Sequence, residues 1–320
     1  GIRLLCEVNY AASADYAMQF RSLGWAMGLL SSMGVGVEFG QVDNFIDDLD
    51  RLSTELQRTN ITLTEGTDLV NEFNATLSSL SDVGYLSTSV AAHYPGMPLV
   101  LKLSKNGGSL LFDINISVQG KVNLLDSPVT YDALTQSIAT NTALFVKGAS
   151  ISEYSFAYSR KVIDTPFGDL YGGAKAKLYR VGLTKSVLGI ADANGDVGEF
   201  SQDRFDSGFT HTSAFSMDFG AMLVARHYLL GASLIDVTNP KFDYNPVGTN
   251  CGSLSGQAQI DCNTAQSFAG EVPTNEAFEL KPQLRLDASL HTSDKHWARM
   301  GSLDSTVAND PVGNEYQWLV

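Results

Sequence analysis

No run of about 18 uninterrupted apolar residues occurs in this 320-residue chain, so no segment reads as a transmembrane helix. Positive charge is scarce: 21 Lys and Arg stand against 35 Asp and Glu, a net charge of −14. Such a chain repels phosphate backbones, and nucleic acid is not an expected partner. Cysteine is nearly absent, at three residues, which excludes a disulfide-dense scaffold. No Cys-x-x-Cys, Gly-x-Ser-x-Gly, His-Glu-x-x-His or P-loop is found, so no redox, hydrolase, zinc-protease or nucleotide chemistry is legible and no enzymatic role is expected. The chain opens at Gly1 with neither Met nor a basic leader, and is expected to be a mature or shortened form.

What is present is alternation. In Phe112-Asp113-Ile114-Asn115-Ile116-Ser117-Val118-Gln119 every second residue is apolar. Side chains on a strand alternate between faces, so this run makes one dry and one wet face. Leu284, Leu286, Ala288 and Leu290 repeat the pattern, as do Phe215, Met217, Phe219, Ala221 and Leu223. Strands are expected over 98–105, 109–124, 143–150, 153–162, 170–188, 212–225, 228–237, 278–291 and 297–307. Short turns (106–108, 165–169, 226–227, 292–295) alternate with long polar connections (189–211, 238–277). The pattern predicts a mainly β, antiparallel transmembrane β-barrel with apolar residues outward and a polar lumen. A soluble periplasmic sandwich is the blander reading. Tyr154, Phe156 and Tyr158 read as an aromatic girdle, or as cross-strand packing if the sheet is soluble. The chain ends in what reads as the middle of a strand, and further C-terminal strands are expected.

Residues 1–40 read as a plug-like segment or first strand, with a short helix over 11–23 and a strand over 34–39. Residues 41–84 change period. Phe45, Ile46, Leu49, Leu52 and Leu56, then Leu69, Val70, Phe73, Leu77 and Leu80, recur at helical spacing. Thr62 and Glu65 form a capping box between the two stripes. The segment holds nine acids against Arg51 and Arg58. An acidic helical hairpin is expected to occupy the barrel mouth or lumen and restrict passage, packing its two stripes on each other and turning carboxylates toward water or toward Lys175, Lys177 and Arg285; a hairpin covering a sheet edge is the alternative. Residues 85–320 supply the barrel.

Asp113, Asn115, Lys175, Lys177, Asp218, Arg285 and Asp287 fall on the polar side of their strands and are expected to face the lumen. Cys251 and Cys262 flank a short Gly/Ser/Gln-rich loop, which favours a disulfide of an oxidising compartment over two free thiols. Cys6 is left over. Asp192, Asn194, Asp196 and Asp203 resemble positions 1, 3, 5 and 12 of a calcium loop, but Val197 stands where glycine is required, so a solvated loop around Asn194-Gly195 is favoured. No other cofactor is expected.

The segment Gly172-Gly173-Ala174-Lys175-Ala176-Lys177-Leu178-Tyr179-Arg180-Val181-Gly182-Leu183, the run Met217–Ala221, and Leu303-Asp304 with Asp310–Trp318 resemble the barrel-type conjugal transfer protein TraF family. The acidic helix at 42–50 fits as well. The family is similar to FadL-like outer-membrane barrels. The resemblance implies a Gram-negative outer-membrane location, lipid as partner, and passage or binding of a hydrophobic small molecule. The alternative is a structural component of a conjugation or surface apparatus with no transport activity.

Overall fold

The computed structural model describes residues 25–28, 32–39, 45–80, 85–104, 107–291, 298–304, 308–309, 311–312 and 315–316. The expected helix over 11–23, Cys6, the turn at 292–295 and the chain end at 317–320 lie outside these.

One antiparallel sheet dominates. Its strands are β1 (Trp25–Gly28), β2 (Ser32–Phe39), β3 (Tyr85–Ser104), β4 (Gly108–Leu125), β7 (Ala143–Thr165), β8 (Gly168–Gly189), β9 (Thr210–Val224), β10 (Tyr228–Ile235), β13 (Gln283–His291) and β14 (Ala298–Asp304). They pair in chain order, with β1 and β2 both on the free edge of β3. The sheet curls into a half-barrel. Among the described residues no pairing joins β14 to β1 or β2. Small hairpins complete the β structure: β5 (Thr130–Asp132) with β6 (Ser137–Ala139), β11 (Lys241–Asp243) with β12 (Ala277–Glu279), and β15 (Ala308–Asn309) with β16 (Glu315–Tyr316).

Strand lengths depart from the sequence reading in three places. The two strands expected within 143–162 are one 23-residue strand, β7, because its β4 register runs unbroken from Ala143 to Ser159. β3 begins at Tyr85 and runs through Pro95 and Pro98; its pairing shifts between Tyr94 and Leu99, where a missing N–H is tolerated. The strand expected over 278–291 splits into β12 and β13 around Pro282.

The sheet's polarity is inside out. Phe112, Phe156, Leu178, Phe215, Phe219, Leu234, Leu284, Leu286 and Leu290 share one face and are all exposed. Tyr154 lies there too, with Tyr158 half-buried beside it. The opposite face carries Asp113, Ser155, Lys175, Lys177, Ser216 and Asp287, all buried. In a water-soluble sheet the two faces would be exchanged.

At one end the strands turn tightly, as at β7–β8 and β9–β10. At the other end every connection is long and folded. There the helical hairpin α1 (Phe45–Leu56) and α2 (Leu63–Leu80) buries Leu49, Leu52, Leu69, Phe73, Leu77 and Leu80. Half of the expected capping box forms: the Glu65 amide donates to Thr62 Oγ1 at 3.4 Å, while the Glu65 carboxylate pairs with Arg58. The stripes do not close mainly on each other. They cover Leu124, Leu144, Val146 and Leu188, which belong to the apolar face, and reach Tyr131 and Ile138 of the β5–β6 hairpin. The described hairpin therefore lies on the apolar side and not on the polar side, where Lys175 and Lys177 are, and its Glu55, Glu65 and Glu72 pair with Arg58 and Arg51. Its apolar stripes needed a dry surface and found one there; the apolar residues at the same end of the opposite face pack under the connection between β10 and β13.

A third helix, α3 (Val197–Ser207), sits on the same apolar face. Its Phe205 ring fills a notch over Gly120 and Gly148: a Cβ added at Gly148 would lie 2.4 Å from Phe205 Cε2 and 2.7 Å from Thr184 Cγ2. Gly148→Val should therefore displace α3 and destabilise the protein by about 1–3 kcal/mol. Phe205→Ala in the same chain should recover part of that loss. Denaturant midpoints of the two single variants and the double variant test this; strict additivity would show that the ring and the notch are not coupled.

Candidate functional site

The buried polar face is built from odd-numbered positions of β4, β7 and β8 and even-numbered positions of β9, which register places side by side. Asp113 pairs across with Ser155, Ser155 with Lys177, and Lys177 with Ser216. The small serines leave room for long charged neighbours. Lys177 Nζ lies 2.7 Å from Asp218 Oδ1 and 2.5 Å from Asp236 Oδ1. Tyr179 Oη donates to Asp236 Oδ1 at 3.0 Å, and the Asp236 amide donates to Asp218 Oδ1 at 2.9 Å. Lys175 Nζ lies 2.9 Å from Glu153 Oε1 and 3.8 Å from Asp113 Oδ2, and His93 Nε2 contacts the other Asp113 oxygen. Two ammonium groups thus answer four carboxylates in a continuous ladder. Burying these charges singly would cost several kcal/mol each, so the ladder holds only as a set.

Of the residues expected to face a lumen, Asp113, Lys175, Lys177, Asp218 and Asp287 share this face, and Arg285 and Asn115 are half-buried on it. Sequence reading missed Glu153, Asp236 and His93 from this ladder, and also Lys147, Lys185 and Glu276. Lys147 and Lys185 have the same strand parity as Lys175 and Lys177, and that parity was the available signal.

The second cluster joins the sheet to an insertion between β10 and β13. Lys147 Nζ lies 2.6 Å from Glu276 Oε1, and Lys185 Nζ lies 3.7 Å from Glu276 Oε2. Lys185 also donates to the Pro273 carbonyl at 2.7 Å. Both ammonium groups stand over the Tyr244 ring, 5.0 and 5.6 Å from its centre. The insertion carries α4 (Gln257–Ser267), and Cys251 and Cys262 are joined as a disulfide with Cα atoms 5.4 Å apart.

The segment that resembled a calcium loop is folded differently. Ile190–Ala193 is a 3₁₀ turn, Asn194 and Gly195 take positive φ, and Asp196 Oδ1 caps α3 by accepting from the Glu199 amide at 2.8 Å. Asp192 Oδ2 accepts from Gln257 of α4, and Asp203 lies within α3. Among the described residues no group of three or more His, Cys, Asp or Glu side chains is arranged to hold a metal ion. The helix start that Asp196 caps carries the acidic spacing. Above the sheet rim, Arg204 of α3 reaches Asp261 of α4 at 3.6 Å. Burial pushes the Asp261 carboxyl up, with Gln257 and Arg204 pulling it the other way.

Lys177→Met should cost about 3–5 kcal/mol, because it leaves Asp218 and Asp236 buried without their cation. Adding Asp218→Asn should return part of that loss. Guanidinium unfolding of the purified variants measures both; a Lys177→Met midpoint equal to wild type would mean that water already screens the pair.

A family model described as "F plasmid transfer operon, TraF, protein" matches residues 11–304, which span the hairpin, the curled sheet and its insertions. No curated protein and no solved structure matches the chain. The match takes in most of the sequence, and the chain belongs to this TraF family.

Proposed function

We propose that this protein is a membrane-embedded β-barrel component of a conjugal transfer apparatus, set in the outer membrane of a Gram-negative bacterium. The curled sheet is read as part of a closed wall, with the apolar face toward lipid. The TraF family ties the chain to plasmid transfer.

One observation carries the membrane reading: the exposed apolar band runs obliquely across the strands. On β4 it is centred near Ile114, which lines up through Tyr154, Leu178 and Phe215 with position 280 by extension of the register. On β13 the band is centred on Asp287, between Leu284 and Leu290, seven residues away over five strand steps. At about 3.3 Å per residue and about 4.8 Å between strands, that slip is a tilt of roughly 45°. Membrane barrels tilt their strands by roughly 35–45° and wear a level apolar belt about 25 Å tall. A soluble docking face has no reason to follow that line. β8, with 22 residues, is roughly 70 Å long and overreaches such a belt. The excess length is where α1, α2, α3 and α4 pack.

The charged residues described on the polar face are ion-paired with one another, which makes that stretch a poor lining for an apolar solute. A structural role in the transfer apparatus is therefore preferred to passage of a hydrophobic molecule. No catalytic activity is proposed.

Full-length protein should fractionate with outer membranes and migrate faster in gels when unboiled. Phe156→Arg, in mid-belt, should lower insertion by about 2–4 kcal/mol of stability, while Phe167→Arg in the exposed turn should not. Deleting the gene should reduce plasmid transfer in mating assays. Recovery in the soluble periplasmic fraction would overturn the membrane reading, and undiminished mating would overturn the conjugation role.

A further inference from the structure

We infer that the β10–β13 insertion is a constriction standing on the lumen side of the wall, which narrows any passage to water and small ions. The inference rests on the barrel reading above.

The direction of the insertion is set at its first residue. Asp236 takes φ +53 and turns the chain off the end of β10. Its carboxylate is then captured by Lys177 and Tyr179, both on the buried polar face. The chain is thus drawn to that side and not toward lipid. Val237 donates its amide to the Met217 carbonyl, and Thr238 Oγ1 donates to the Phe215 carbonyl at 2.8 Å, which holds the turn against β9.

The body of the insertion then lies flat on the inner face in two patches. Phe242, Tyr244 and Phe278 cover Ala149, Tyr179, Val181 and Leu183. Ala265, Phe268 and Val272 cover Leu125, Ala143, Phe145 and Val187. These strand residues are the apolar part of an otherwise polar lining. A lumen wall in contact with water would not place Phe145 and Val187 there unless a folded element covered them. Glu276, shared between Lys147 and Lys185, pins the element between the two patches, and the Cys251–Cys262 bond keeps α4 folded over it. The Tyr244 hydroxyl reaches on to the Pro311 carbonyl, so the insertion also touches the chain beyond β14.

This assigns occlusion to a different part of the chain than the acidic hairpin, which lies on the lipid-side face. Residues 248–271 can be excised without breaking β11–β12, since Asp243 and Ala277 are register partners below the cut. The full chain, a variant with that segment replaced by a short Gly-Ser linker, and a Lys147→Met/Glu276→Gln variant would be reconstituted in planar bilayers in KCl. Wild type should show small, infrequent conductance steps. Excision should raise single-molecule conductance roughly tenfold, and the double variant should give intermittent openings of the same size. Removal of α1–α2 should leave conductance at the wild-type level.

Variants that insert and keep heat-modifiable migration but conduct like wild type would overturn the constriction while leaving the barrel intact. If the excised chain fails to insert, the Lys147→Met/Glu276→Gln variant decides alone. Failure of wild type itself to insert would overturn the barrel reading and the inference with it.

Discussion

The structure depends on one constraint: a sheet whose charged residues are inside must pair them with one another. Lys177 between Asp218 and Asp236, and Lys175 between Glu153 and Asp113, meet that constraint through strand register. A slip of one residue anywhere from β4 to β9 would turn these charges onto the apolar face and Phe112, Phe156 and Leu178 onto the buried one. The ion ladder and the apolar belt are two readings of one register, and neither can be moved without the other.

The longest strands, β7 with 23 residues and β8 with 22, are dressed on both faces at one end. On the apolar side the acidic hairpin and Phe205 of α3 cover the strand ends. On the polar side α4 and the β11–β12 hairpin do the same. The two layers meet above the rim through Arg204 and Asp261. This collar supports the strand ends, and it gathers the described folded connections at one end of the sheet. At the opposite end the described turns, β7–β8 and β9–β10, are short.

Much of this was legible in advance because period 2 and period 3.6 are local. Phe112 through Gln119 announced a two-faced strand, and Leu49, Leu52, Leu69 and Phe73 announced helices with one dry side. The disulfide was readable from an eleven-residue spacing in a Gly/Ser/Gln-rich loop. The acidic spacing from Asp192 to Asp203 fitted either a calcium loop or a turn around Asn194-Gly195, and it is the latter, with Asp196 capping α3. Helix caps and calcium loops both favour Asp and Asn at short intervals, and only backbone geometry separates them. Lys147 and Lys185 went unnoticed because their partner, Glu276, lies on a connection remote in sequence.

By itself the sequence determined which residues share a face, which segments coil, and that the polar set would need mutual pairing, since each follows from the chain's own periodicity and charge. Where the pieces went was decided only in three dimensions. The acidic hairpin could satisfy its apolar stripe on any dry surface, and the sheet has one on each face at that end: the hairpin took the apolar side, and the β10–β13 connection covers the patches on the polar side. The long connection after β10 could have stood out in water, and a positive φ at Asp236 with Lys177 and Tyr179 waiting for its carboxylate turned it inward. Both outcomes rest on contacts between residues far apart in the chain, and no local pattern encodes a surface that exists only once the sheet has curled.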